Sequence, residues 1–415
     1  MPINISVDYY NKHERELFSG FPNHEDINTI IRGSFAISKS ELLTYMMFTE
    51  QDNDRDGYRN YNELSTKYSG RLGNIDDYLL FNNQSIQSRV SPTIMNNADI
   101  TELLGVSLGL CVINRIHGFT EADWKKIPET NANSTFDFTI PKASTGTNFI
   151  QAENKGSVID NNEYKRSSVS NRYSEIIDKK HYVREQERIH RIVRHQNLYY
   201  GTIGVIDTRN NSIAKVWLVD PPAKEINEDP RKYKLLSRLY FYLDEFRNIG
   251  VKEKLIKAIE KRINEINESK DFEKFNNVHL DYKYPHPFHL FMDGKNFVAI
   301  DHNEAFGRVF YIKYKEKIHP FIYALPRSIM QLIIYQDFDK IMKYEYIPSF
   351  SEKKVNVLLL SKFKEFEEKD VIYYIKDMFV FNERRIRYEA SFFNELYHSK
   401  SGRIFGLLND KESVL

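Results

Sequence analysis

Glu153 and Lys155 stand two residues apart in NFIQAENKGS, a run that begins apolar and turns charged where a buried strand should continue its hydrophobic face. In an extended strand residues i and i+2 point the same way, so Glu153, Lys155 and Gln151 share one face and Ile150 and Ala152 the other. Asp137 lies upstream in the β-rich run TFDFTIP. The turn-rich KASTGT between the two runs predicts a hairpin, which would set the Asp137 carboxylate beside that of Glu153. Two carboxylates and a lysine suit metal-dependent phosphodiester hydrolysis. The acids hold Mg²⁺, the metal lowers the pKa of a bound water and neutralises the leaving oxygen, and the ammonium orients the nucleophile or meets developing charge. The plainer alternative is an ion pair between Glu153 and Lys155 on a solvated strand face.

A second constellation is DNDRDGYRNYNE, which follows the spacing of a calcium loop. Asp52, Asp54 and Asp56 would be side-chain ligands, Gly57 the sharp turn, Tyr58 a carbonyl donor and Glu63 the bidentate ligand of Ca²⁺. The motif occurs once, where such loops usually pair, and Arg59 replaces the usual apolar anchor; the alternative is a solvated acidic turn. His286 and His289 in YPHPFHLF are separated by Pro287, which blocks the helical turn that would converge them on a metal. Within FVAIDHNEAFG a strand ends in Asp301-His302-Asn303, faintly like the metal-binding end of a kinase-like phosphotransferase, but no glycine-rich phosphate loop or paired strand lysine accompanies it. No G-x-x-x-x-G-K-[ST] exists, which excludes the P-loop class. Cys111, inside an apolar helical run, reads as a buried small hydrophobe.

The elements that must position Glu153 follow from local pattern. NADITELLGVSLGLCVINRIHG places Leu103, Val106, Leu110 and Ile113 at helical spacing and stops at Gly118. The hairpin comes next, then a charged helix from about Arg172 to His195, then two strands, YYGTIGVID and SIAKVWLVDPP. These make an α/β unit over 93–222. The preceding residues, 1–92, read as a helical region, and PPAKEINEDP reads as a boundary. Residues 223–415 read as a mostly helical α+β domain for target binding or oligomerisation, with EKDVIYYIKDMFVFNERRIRYEASFFNELYH taken as helix.

With Asp137 as first acid and Glu153-Asn154-Lys155 as an E-x-K element, the chain resembles the PD-(D/E)xK nuclease superfamily, the restriction-endonuclease-like fold. The order of helix, acid strand, E-x-K strand, helix and strand is similar too. The resemblance implies a mixed sheet flanked by helices and a Mg²⁺- or Mn²⁺-dependent endonuclease, with metal held by Asp137, Glu153 and Asn154. It gives Glu102 the role of a glutamate on the preceding helix, and Gln186 that of a polar residue on the following one. Asp137 follows Phe136 and not proline, a departure at the first acid. The resemblance also implies nucleic acid as substrate, DNA above RNA, in restriction or antiphage defence, with a homo-oligomer or a partner subunit. A catalytically inactive nucleic-acid-binding or scaffold protein on the same fold is the alternative.

Composition sets the outer bounds. The 415 residues exceed what one core fills and predict two or three domains. With 41% hydrophobic and 14% aromatic residues, the chain is globular in character. The net charge of +1 neither demands nor excludes a polyanion partner. The single cysteine excludes an intrachain disulfide and fits a reducing compartment. MPINISVDYYNKHERELF lacks a signal-peptide pattern, and no run reads as a membrane span of roughly 18 apolar residues, so a cytoplasmic protein without a membrane partner is expected.

Overall fold

The structure, a computed structural model, describes all residues except 1, 21–23, 34, 50–60, 83, 97, 127–137, 141–149, 190–197, 221–229, 283–295, 302–303, 350–353, 363–382, 393–395 and 410–415. Two units emerge: residues 1–56 with 71–237, and residues 57–70 with 238–415. The elements are β1 (Pro2–Tyr9), α1 (Lys12–Ser19), α2 (His24–Arg32), β2 (Phe35–Ser38), α3 (Lys39–Phe48), α4 (Tyr61–Tyr78), β3 (Leu79–Asn82), β4 (Ser85–Ser88), α5 (Pro92–Met95) and α6 (Ile100–His117). Then come β5 (Lys125–Lys126), β6 (Phe138–Ile140), β7 (Ile150–Ile159), α7 (Ser167–Ile189), β8 (Leu198–Asp207), β9 (Ala214–Val219), α8 (Pro230–Asn248) and α9 (Glu253–Glu268). The last are β10 (Phe297–Ile300), β11 (Ala305–Tyr314), β12 (Lys317–Pro326), α10 (Arg327–Tyr335), α11 (Phe338–Met342), β13 (Lys354–Lys362), β14 (Glu383–Ser391), β15 (Tyr397–His398) and β16 (Ile404–Leu407).

The first unit is a mixed seven-stranded sheet flanked by helices, in the order β2-β1-β9-β8-β7-β6-β5. Strands β6 and β7 pair antiparallel, as the hairpin reading expects, and α7 carries the chain from β7 to its parallel neighbour β8. The N-terminal residues, expected to be helical, also supply β1, which pairs parallel with β9, and β2 at the edge. Ile3, Ile5 and Val7 alternate inward along β1 as a half-buried strand requires.

Helices α6 and α7 cover opposite faces of β7 and β8. On the α7 side, Val169 and Ile176 pack with Ile203, Val205, Trp217 and Val219 in one buried cluster. On the α6 side the approach is closer than a side chain permits. A Cβ added at Gly105 would lie 2.3 Å from the Gly156 nitrogen, and one at Gly156 would lie 1.9 Å from the Thr101 oxygen. Helix α6 ends at Gly118 in the left-handed conformation (φ 66°), the stop expected there. Contrary to the sequence expectation, α6 is long and apolar enough to cross a membrane, but 83% of that window is buried within the protein.

The second unit contains a seven-stranded antiparallel sheet, β14-β13-β10-β11-β12-β16-β15, where a mostly helical domain was expected. Strands such as β12, buried at Phe321–Pro326 without interruption, lack the alternation that separates a strand from a core helix. The run ERRIRYEAS, read as helix, pairs with β13 along all nine residues. Beyond Arg308, β11 outruns its neighbour β10. There α4 takes the place of a strand: the Tyr61 hydroxyl donates to the Val309 carbonyl (3.1 Å), Ser65 to the Tyr311 carbonyl and Ser69 to the Lys313 carbonyl. Four residues of helix rise about 6 Å and two of strand about 6.8 Å, so hydroxyls at i, i+4 and i+8 meet carbonyls at i, i+2 and i+4.

Candidate active site

Strand β7 brings Glu153 and Lys155 to the face beneath α7. Glu153 is fully buried, and the Lys155 Nζ lies 2.8 Å from its Oε1. The other oxygen, Oε2, accepts a hydrogen bond at 2.7 Å from the Nζ of Lys179 on α7. Both lysines are themselves largely shielded, with side chains 26% and 17% exposed. The solvated ion pair is therefore ruled out as to its setting: this carboxylate lies inside the fold with two ammonium groups on it. Opposite Glu153 in the parallel register is Gly201, where a Cβ would lie 2.7 Å from Ile176. That missing side chain lets α7 settle low enough for Lys179 to reach the acid.

Asn154, one residue along, faces the other way. Its Oδ1 accepts from the Thr202 hydroxyl at 2.7 Å beneath Gly109 of α6, where a Cβ would fall 2.2 Å from that oxygen. As a metal ligand beside Glu153, Asn154 has only its backbone carbonyl to offer, because strand alternation turns its side chain to the far face. Glu102 is exposed on the first turn of α6, the helix on the opposite side of the sheet from Glu153, so the structure does not bring the two together. Gln186 lies in α7, two turns and about 10 Å along the axis from Lys179; its side chain is outside the described residues. Asp137, the expected first acid, is also outside them, as are Asp52, Asp54, Asp56, His286, His289, His302 and Asn303. Glu63 is described, on the first turn of α4.

Next to Lys179, a second set of buried charges occupies the same end of the sheet. The Lys180 Nζ lies 2.5 Å from Oδ1 of Asp220, just past β9. The Asp220 amide donates to Glu14 of α1, and the Tyr173 hydroxyl donates to the other Glu14 oxygen at 3.0 Å. Burial pushes the Glu14 carboxyl above its ordinary range and the Lys180 ammonium below its own, the latter opposed by the Asp220 charge. Lys179, Lys180, Asp220 and Glu14 all escaped the sequence reading. A signal existed: Val169, Tyr173, Ile176 and Lys180 follow the 4-3-4 spacing of one helix face, which sets Lys180 where a buried residue belongs.

Comparison with known protein families, curated proteins and solved structures finds no match to this chain.

The described groups on this carboxylate are two ammonium nitrogens, which occupy the oxygens that a divalent cation would need. Among the described residues no group of three His, Cys, Asp or Glu converges on one point.

Proposed function

We propose that the protein is a metal-dependent endonuclease of restriction-endonuclease-like architecture, acting on DNA. The observation that carries this reading is the burial of Glu153 with Lys155 on the same strand face, 2.8 Å apart. The chain path around it supports the same reading: α6, the antiparallel pair β6–β7, the crossover helix α7 and the parallel strand β8 follow the order that the resemblance implies. Bound by Glu153, the Asn154 carbonyl and Asp137, Mg²⁺ or Mn²⁺ would supply an activated water and charge neutralisation at the leaving oxygen. The Glu153 carboxylate holds the charge in place. The Lys155 ammonium, two residues on and paired with Glu153, would stabilise negative charge that develops on the phosphate. Restriction or antiphage defence is the proposed setting, with a homo-oligomer or partner subunit completing the system.

Incubating the full chain with plasmid and linear DNA, with Mg²⁺ and with EDTA, tests this. Cleavage that needs the metal and is lost in Glu153→Ala is the expected result. A second reading has its own support: a carboxylate already neutralised by Lys155 and Lys179 also suits a nuclease-like fold that binds nucleic acid without cutting it. Binding without metal-dependent cleavage would select that alternative.

A further inference from the structure

The carboxyl ends of the parallel strands β7 and β8 open on a groove of about 420 Å³, whose lining includes Ser6, Asn162, Arg209, Asn210, Ser212 and Lys215. Sheets of this kind take up ligands at that end of their strands. Ile159, the last residue of β7, lies about 20 Å along the strand from Glu153, so the groove is separate from the site described above. Its walls are tied together. The buried Asp207 carboxylate accepts from the Asn162 amide (3.2 Å) and from the Arg209 Nε (2.8 Å), and the Asn162 side chain donates to the Ile213 carbonyl (2.6 Å), which joins the loop after β7 to the turn after β8. The Arg209 guanidinium is matched by Asp207 and Glu163.

Lys215 is less well matched. Its Nζ lies 3.8 Å from the centroid of the Trp217 ring, two residues along the same face of β9, and the Lys165 Nζ lies 4.6 Å from that centroid. Two ammonium groups share one ring. Lys165 donates to the Tyr10 carbonyl and lies over the Tyr10 ring, and no carboxylate among the described residues reaches it. The acid on Lys215 is Asp8, 3.9 Å away with its side chain half exposed. Burial lowers the Lys215 ammonium from its ordinary range; Asp8 opposes that fall, Lys165 deepens it and Glu163 opposes it. The Trp217 indole N–H, though buried, has no acceptor among the described residues. Around this ring donors and positive charge outnumber acceptors.

We propose that Lys165 and Lys215 form an anion subsite on the Trp217 ring, beside the groove that Lys215 lines, and that the subsite takes a phosphate group. An oxyanion held by both ammonium groups gains two charge-assisted hydrogen bonds and offsets the repulsion between them. The hydroxyls and amides of Ser6, Asn162, Asn210 and Ser212 along the groove offer hydrogen bonds to what the phosphate carries. A nucleic-acid strand and a free nucleotide bring the same oxyanion, and the test separates them. The subsite stands on its own geometry and not on the nuclease reading, since neither Glu153 nor its lysines take part in it.

The probes are inorganic pyrophosphate and a short single-stranded oligothymidylate, titrated into the full chain at constant ionic strength and followed by tryptophan fluorescence, to which Trp217 contributes. Lys165→Gln and Lys215→Gln are each expected to weaken binding about tenfold, the loss of one charge-assisted hydrogen bond, and Lys257→Gln, an exposed lysine of α9, to leave it unchanged, with folding checked by circular dichroism. A second measurement needs no variant. Acetylation of the wild type, mapped by peptide mass spectrometry, should fall several-fold at Lys165 and Lys215 when a probe is bound and stay level at Lys257. Protection by the oligonucleotide assigns the phosphate to a nucleic-acid strand, and protection by pyrophosphate alone assigns it to a free nucleotide. Binding that both lysine variants retain in full, or labelling of Lys165 and Lys215 that neither probe slows, overturns the subsite. The nuclease reading is judged separately, by the loss of cleavage in Glu153→Ala.

Discussion

Replacing Gly105 by alanine should destabilise the first unit, although alanine is the better helix former. The ideal Cβ at Gly105 lies 2.3 Å from the Gly156 nitrogen and 2.3 Å from the Lys155 carbonyl carbon, both backbone atoms that cannot rotate away. Restoring an ordinary contact needs α6 to retreat from β7 by about 1 Å, and a gap of that size forfeits a quarter to a half of the dispersion attraction between the facing atoms. Overpacking of this kind costs about 1–3 kcal/mol, and a backbone clash belongs at the upper end; the helix-propensity gain of ~1 kcal/mol returns part of it. The net loss is about 2 kcal/mol, which for a unit of this size lowers the melting temperature by roughly 4–8 °C. Both tryptophans of the chain, Trp124 and Trp217, belong to this unit, so tryptophan fluorescence reports its unfolding. Gly73→Ala is the control. It lies in the same unit, on α4, with nothing within 4 Å of its added Cβ, so it should stabilise by about 0.5–1 kcal/mol. The reasoning is refuted if Gly105→Ala melts at or above the wild-type temperature.

Lys155→Ala should depress single-turnover DNA cleavage while affinity measured in Ca²⁺ barely changes, because a group that acts on transition-state charge adds little to ground-state binding; the reverse outcome would make Lys155 a phosphate anchor. The His117 imidazole, half-buried beside the Tyr200 hydroxyl, is lowered from 6.5 to about 4 by the desolvation of its ring. The unfolded chain therefore takes up this proton first as pH falls, and up to about 3 kcal/mol of stability is lost between pH 6.5 and 4, with none lost to this group below that. His117→Gln should flatten that limb in urea melts followed across the range. In the second unit, Glu245 accepts from Arg403 through both oxygens, at 3.0 and 2.9 Å, in a buried setting. Glu245→Ala should cost about 3–5 kcal/mol by leaving the guanidinium without its acid, and Glu245→Met with Arg403→Met should recover much of it, as read by hydrogen exchange of β12 and β16.

The parts of the site that were legible in the sequence are those governed by local period. Glu153 and Lys155 share a face because side chains alternate along any strand, and α6 was visible through Leu103, Val106, Leu110 and Ile113. Its glycines were not read as contacts, since only the packed pair of α6 and β7 reveals that Gly105 and Gly156 permit one approach. Lys179 was hidden because DKKHYVRE looks like an ordinary charged helix; its importance depends on Gly201, a residue of the next strand. Strand β1 alternates plainly, but its partner β9 follows some two hundred residues later, and no local pattern names a partner at that separation. The helical reading of ERRIRYEAS failed for a related reason: pairing with β13 settles the conformation of a run whose own preference is ambiguous.

The hydroxyl ladder of α4 has a bearing on solubility. A strand that extends past its neighbour offers bare carbonyls and amides to any other chain, and sheets usually blunt such a margin with charge, proline or a bulge. Here Tyr61, Ser65 and Ser69 consume the exposed rungs at Val309, Tyr311 and Lys313, and the Tyr311 amide donates back to the Tyr61 oxygen. Stripping the three hydroxyls would leave those carbonyls without donors and weaken the hold of the helix on the margin. The β11 margin would then be a template for strand addition from a second molecule, and the damage would surface as aggregation that grows with concentration.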